Sequence, residues 1–191
     1  LTFQGLMIMM LAHGISSAAL FIMCGQVYER VHTRDMRLMG GMRGQFPYLA
    51  FFLMFFVAAL VGIPGLGNFI GEFLILMGAY AQFPAFTILA AISLVFAGLY
   101  GLILIHKALF GVPNEAQKQH YTHPLKDLSA REIALLLICA FGLLWLGLYP
   151  QSFLDISNSS MAWLANSYIP VQEVVEVTNQ VTTQLENVEI Q

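Results

Sequence analysis

Residues 46–83 form one apolar block that carries a single charged residue, Glu72. Past the entry at Pro47, one proline, Pro64, interrupts it, with Gly62, Gly65 and Gly67 close by. Proline removes a helical hydrogen bond and its ring clashes with the preceding turn, so the block cannot be one uninterrupted helix. As helix, residues 49–63 and 69–83 would each reach about 22 Å. Each falls short of a hydrocarbon core about 30 Å thick. Two arrangements remain. The block is either a re-entrant hairpin of two short helices, or one tilted span unwound at its centre from Pro64 to Gly67, with Pro64, Gly65, Gly67 and Asn68 as the residues of the break. In the second, freed backbone groups need polar or watery surroundings.

Composition says which solvent the chain is built for. It has 191 residues, 58% hydrophobic and 10% charged. Soluble domains carry about 25% charged residues, which excludes that class. Further apolar runs at about residues 5–28, 85–110 and 131–149 are long enough to cross a bilayer. The predicted fold is all-α: a polytopic transmembrane helix bundle over residues 1–169, with about four spans, one of them (48–83) discontinuous. Residues 153–169 are weaker, with Trp163 and Tyr168 as interfacial anchors. Residues 170–191 form a polar, acidic tail. The chain opens on Leu1 with no initiator Met and no polar lead-in, and is expected to be the C-terminal piece of something longer.

Charge placement separates the two readings of the broken block. All eight Lys and Arg lie in or beside residues 29–45 and 106–131. With one discontinuous span these regions share a side; with two full spans they would not. The positive-inside rule puts a shared basic side in the cytoplasm and the C-terminus outside. The discontinuous span is therefore favoured.

A carboxylate in hydrocarbon costs about 2.5–3.5 kcal/mol on insertion scales. Desolvation disfavours its charged form. Beside a broken helix, Glu72 is the first candidate for an intramembrane proton site, against the plainer role of tying the unwound segment. His13, within the first span, can carry a proton at physiological pH or serve as a core histidine. Ser16 and Ser17 follow on the next turn and could extend a polar file, or bond back to the backbone. His106 and Lys107, near the end of the third span, are possible cytoplasmic-side polar contacts, the lysine snorkelling.

Other motifs are weak. His32, His120 and His123 match no metal spacing. Cys24 and Cys139 have neither disulfide-framework nor CxxC spacing and are expected to be small buried residues. Gly65 to Gly71 misses the dinucleotide fingerprint by one place. Gly67 and Gly71 fit GxxxG, a helix-packing spacing that often arises by chance. No nucleophile–base pattern, redox centre, cofactor or nucleic-acid site is expected.

Several strings carry a family. Leu11-Ala12-His13-Gly14, Leu20-Phe21-Ile22-Met23-Cys24-Gly25, Tyr28-Glu29-Arg30-Val31-His32-Thr33-Arg34-Asp35-Met36 and Met39-Gly40-Gly41 resemble the antiporter-like subunits of NADH:quinone oxidoreductase, respiratory complex I. Gly62-Ile63-Pro64-Gly65 and Asn68-Phe69-Ile70-Gly71-Glu72-Phe73-Leu74-Ile75-Leu76 continue the resemblance. It extends to about Asp155. Within the family, a carboxylate at Glu72 resembles subunit M (chain 4 in mitochondria), where sister subunits L and N carry lysine. Asn68 departs mildly from many relatives.

The resemblance implies the last four helices of a larger subunit. It implies that His13 belongs to a chain of polar residues along the membrane midplane, with Glu72 its terminal protonatable group. It further implies a proton-translocating oxidoreductase subunit in a bacterial inner membrane, with L and N and the lipid bilayer as partners and no redox centre of its own. A lysine–glutamate pair and a central lysine would lie in earlier helices. A Na+/H+ antiporter or membrane-bound hydrogenase subunit is the related alternative, and a structural membrane scaffold the alternative of another class.

Overall fold

The computed structural model describes residues 2–36, 39–110, 126–157 and 163, and these are helical with short connections. Helix α1 spans Thr2–Val31. A single turn, α2 (Met42–Gln45), follows Gly41. The broken block gives α3 (Pro47–Leu60) and α4 (Gly67–Tyr80). Helix α5 (Pro84–Ile105) runs into a wider π-type turn, His106–Phe110. Helix α6 covers Ala130–Leu148, and residues 151–157 are helical. The loop at 111–125, with His120 and His123, and the tail lie outside the described residues.

Local chemistry sets the helix starts. Pro47 and Pro84 open α3 and α5, where a missing N–H costs nothing. The first turn of α3 also receives the Asp127 carboxylate, which accepts from Tyr48 N at 2.7 Å and Leu49 N at 3.2 Å. A capping box opens α6: Ser129 N donates to Glu132 Oε2 at 2.6 Å and Glu132 N to Ser129 Oγ at 3.5 Å.

The break begins earlier than the proline. Gly62, at φ +77°, ends α3 in the left-handed conformation. Gly62 N bonds Ala59 O and Ile63 N bonds Ala58 O, both at 3.2 Å, which is a Schellman closure. Pro64 then sits just past the end of a finished helix. Leu66 N returns to Ile63 O at 3.3 Å, with Pro64 and Gly65 (φ +98°) at the turn's centre, the sequence of a type II turn. The non-helical stretch is thus residues 61–66. The first half-helix stops before the expected residue 63, and the second resumes at Gly67 rather than Phe69, so Gly67 and Asn68, expected in the break, belong to the first turn of α4.

The two half-helices lie in line. They pack against each other far less than each packs against α1. Helix α5 runs antiparallel past both: it pairs with α4, its Gly101 abuts Val61 and Val57, and its closing turn reaches α2, with the Arg43 guanidinium 5.1 Å from the Phe110 ring centre. A hairpin would fold α3 back beside α4 and could not be followed this way. Helix α1 also runs antiparallel to the block, placing Met9 at Gly71 and Ala12 at Gly67. At the far end of α1, Arg30 bonds residues 126–132 at the start of α6. The regions at Arg30, Arg43 and Lys126 therefore share one end of the bundle.

Buried Met23, Leu49, Phe56, Leu136 and Leu143 fill the core. Outside it, Phe86, Leu89, Val95 and Leu102 on α5, and Ile138, Phe141 and Leu148 on α6, are exposed. Apolar surface on that scale suits lipid or further helices, not water. Among the described residues three helices, α1, α5 with its closing turn, and α6, are long and apolar enough to cross a membrane. Cys139 is partly buried, as a small apolar residue would be, but Cys24 lies exposed on the outer face of α1.

Candidate functional site at the broken helix

Close packing of α1 on α4 brings the site together. A Cβ at Gly71 would come within 2.7 Å of Met9 Cβ, and one at Gly67 within 2.8 Å of Leu146 Cβ and 3.0 Å of Ala12 Cβ. The GxxxG spacing is thus a working helix contact.

That approach lets a polar group of α4 reach two other helices. Asn68 is fully buried. Its Nδ2 donates to Ala59 O of α3 at 2.8 Å and to Ser16 Oγ of α1 at 3.1 Å. Ser16 Oγ, itself buried, donates to His13 O at 3.1 Å. The carbonyl of Ala59 near the end of α3 is thereby served by a side chain from across the break. Among the described residues, Asn68 Oδ1 is the buried side-chain atom without a hydrogen-bond partner.

Glu72 lies one turn further along the same face of α4. Its half-buried side chain folds back over the break, so that a Cβ at Gly62 would collide with Oε2. The left-handed φ of +77° favours glycine there, and any side chain would have to displace the Glu72 carboxylate. The carboxylate therefore rests on the backbone of the unwound segment.

His13 stands apart. It lies on an exposed face of α1, where Nε2 pairs with Ser17 Oγ at 3.2 Å. Among the described residues no hydrogen bond joins it to Glu72. Of the polar file, Ser16 turns to Asn68 and Ser17 to His13. His106 and Lys107 are exposed in the π-type turn at the charged end.

Reading the sequence missed a second polar centre. Arg30 is nearly buried at the end of α1, not free in the loop. Nη2 meets Glu132 Oε2 at 3.0 Å and Asp127 O at 3.3 Å, Nε donates to Lys126 O at 3.2 Å, and Nη1 to Gln26 O at 3.0 Å and Oε1 at 2.6 Å. Its one advance signal is position, a single arginine on the last turn of an apolar helix.

An apolar bundle with an in-line broken helix, and a carboxyl laid on the unwound backbone, is the build of a polytopic membrane helix bundle. The transmembrane family model for NADH:quinone oxidoreductase/Mrp antiporter proteins matches residues 1–104, and the chain belongs to that family. It is 51% identical over 158 residues to NADH-quinone oxidoreductase subunit M of Pseudomonas aeruginosa, covering 83% of this chain and 30% of that protein. Against subunit M of Escherichia coli (strain K12) the figure is 44% over 171 residues, 87% of this chain and 33% of the other. NADH-ubiquinone oxidoreductase chain 4 of Arabidopsis thaliana is 35% identical over 158 residues, 83% and 31% of the two chains. Among solved structures, a chain of respiratory complex I from Thermus thermophilus with bound NADH overlays with a TM-score of 0.71 at 31% identity, covering 78% of this chain and 30% of that one. The chain spans about a third of the length of these relatives.

Proposed function

We propose that the chain is part of a membrane-arm subunit of NADH:quinone oxidoreductase, of the subunit M or chain 4 type, which moves protons while partner subunits carry the electrons. One observation carries the reading: Glu72, the one charged residue of the apolar block, lies against Gly62 at an in-line helix break. There the carboxyl sits between hydrocarbon and unwound backbone, where a change of protonation is coupled to local polarity. Glu72 takes up and releases the proton. His13, on a face of α1 open to further helices, exchanges protons with Glu72 through water and with groups beyond these residues. His106 and Lys107 belong to the cytoplasmic-side polar contacts. The sister subunits L and N and the lipid bilayer are the partners.

The membrane is the bacterial inner membrane, with the basic end cytoplasmic and the C-terminus outside. The antiporter half of the family's description favours a second reading, a subunit of a Na+/H+ antiporter. The subunit M names of the relatives favour the first.

The test is Glu72→Gln combined with His13→Ala in the full-length protein, with proton uptake by membrane vesicles followed during NADH oxidation. Most of the pumping should be lost while the complex assembles. Undiminished pumping would leave the chain a scaffold. Pumping that required Na+ would favour the antiporter.

A further inference from the structure

The amide of Asn68 is held in one orientation. Both hydrogens of Nδ2 are used, on Ala59 O and Ser16 Oγ. A flipped amide would set carbonyl against carbonyl at Ala59, so the orientation follows from chemistry. Oδ1 is then fixed, fully buried and without a partner among the described residues. A buried acceptor left unpaired carries the full desolvation penalty of that group. Glu72 is four residues on, stacked over Asn68 on the same face, and its side chain leans back toward the start of α4, reaching Gly62. An ionised carboxylate can only accept and so cannot satisfy Oδ1. A protonated carboxyl has the O–H that Oδ1 lacks.

We propose that Asn68 is a positioning residue for Glu72, its Oδ1 accepting a hydrogen bond from the protonated carboxyl, directly or through one water. This rests on reading Glu72 as the group that takes up and releases a proton. Protonation would make the bond and deprotonation would break it, while Nδ2 keeps the amide tied to α3 and α1 throughout. The Ser16 contact thus joins the state of Glu72 to the helix that bears His13. The other titratable groups on the elements packed against α4 lie elsewhere: Cys24 on α1, Tyr100 on α5 and Cys139 on α6, with Tyr28, Glu29, Arg30, Tyr48, Arg131 and Glu132 toward the charged end. No hydrogen bond joins any of these, or His13, to Glu72.

The test is infrared difference spectroscopy across a pH titration of the full-length protein in its membrane complex. The carboxyl C=O band that disappears in Glu72→Gln identifies Glu72. In Asn68→Ala this band should move to higher wavenumber. The titration midpoint should fall by about 0.4–1 pH unit relative to the parent, a roughly 3- to 10-fold loss of proton affinity matching one lost hydrogen bond. A purely structural asparagine would move neither. An unchanged band and midpoint overturn the proposal and leave the proton role of Glu72 standing. If Asn68→Ala does not assemble, the parent protein carrying isotope-labelled asparagine decides. A side-chain carbonyl band moving with the Glu72 band supports the bond, and a static one overturns it. Absence of any titrating Glu72 band overturns both this proposal and the functional reading beneath it.

Discussion

Removing the Arg30–Glu132 pair tests how the bundle is clasped at its charged end. The Arg30 side chain is 10% exposed and that of Glu132 21%, with 3.0 Å between Nη2 and Oε2. Fully exposed pairs give about 0.2–1 kcal/mol. Removing one partner of a buried pair costs about 3–5 kcal/mol. The clasp falls between, because Arg30 is nearly buried while Glu132 keeps some water. Arg30→Gln also strands the carbonyls of Lys126 and Asp127, so its cost should be about 2–4 kcal/mol. Glu132→Gln removes the charge yet preserves the capping box, since glutamine can serve at that position. It should cost about 1.5–2.5 kcal/mol, and the double variant little more than Arg30→Gln alone. The assay is a double-mutant cycle on denaturation of the purified full-length protein in mixed micelles. A coupling energy of about 1.5–2.5 kcal/mol, little changed between 0.1 and 1 M salt, is expected. A coupling below about 0.5 kcal/mol, or one abolished by salt, would refute the reasoning.

Gly71→Ala should destabilise by about 1–2 kcal/mol despite a better helix former, because the added carbon meets Met9 Cα at 2.8 Å as well as its Cβ; equal or greater stability in the same micelle assay would contradict that contact. Gly62→Ala and Gly65→Ala both strain a left-handed residue, but only at Gly62 does the new carbon strike the Glu72 carboxylate. Proton pumping should therefore fall more in Gly62→Ala than in Gly65→Ala at matched assembly, and equal losses would remove the link between break and carboxylate. In a background without Cys24 and Cys139, cysteines at Gln45 and Lys126 should label from one side of the membrane and one at Gln82 from the other. Labelling of all three from one side would reject the four-span arrangement.

Much of this architecture can be read from the sequence because bilayer spanning leaves few options. Apolar runs of sufficient length, a proline in the middle of one, and basic residues gathered in two regions together favour an in-line broken span. The boundaries of the break were less legible. Gly62 stops the helix by its own left-handed turn before Pro64 can, a competition that residue types do not rank. Glu72 stands out in sequence because a charge in hydrocarbon has to be explained. The bonds of Asn68 to Ser16, 52 residues away, and of Arg30 to Glu132, 102 residues away, do not, since nothing local in the sequence pairs them. The expectation that Cys24 is buried failed for a related reason. In a membrane bundle an apolar run is apolar all round, and says little about which face turns inward.

A proton carried through the membrane by Glu72, as electrons pass elsewhere, is the proposed function. It is tested most directly by the proton-to-electron ratio of vesicles bearing full-length protein with Glu72→Gln, beside Glu72→Asp at equal assembly. The expected ratio is well below the parent's in the glutamine variant, with substantial recovery in the aspartate variant. A parental ratio in Glu72→Gln would contradict it.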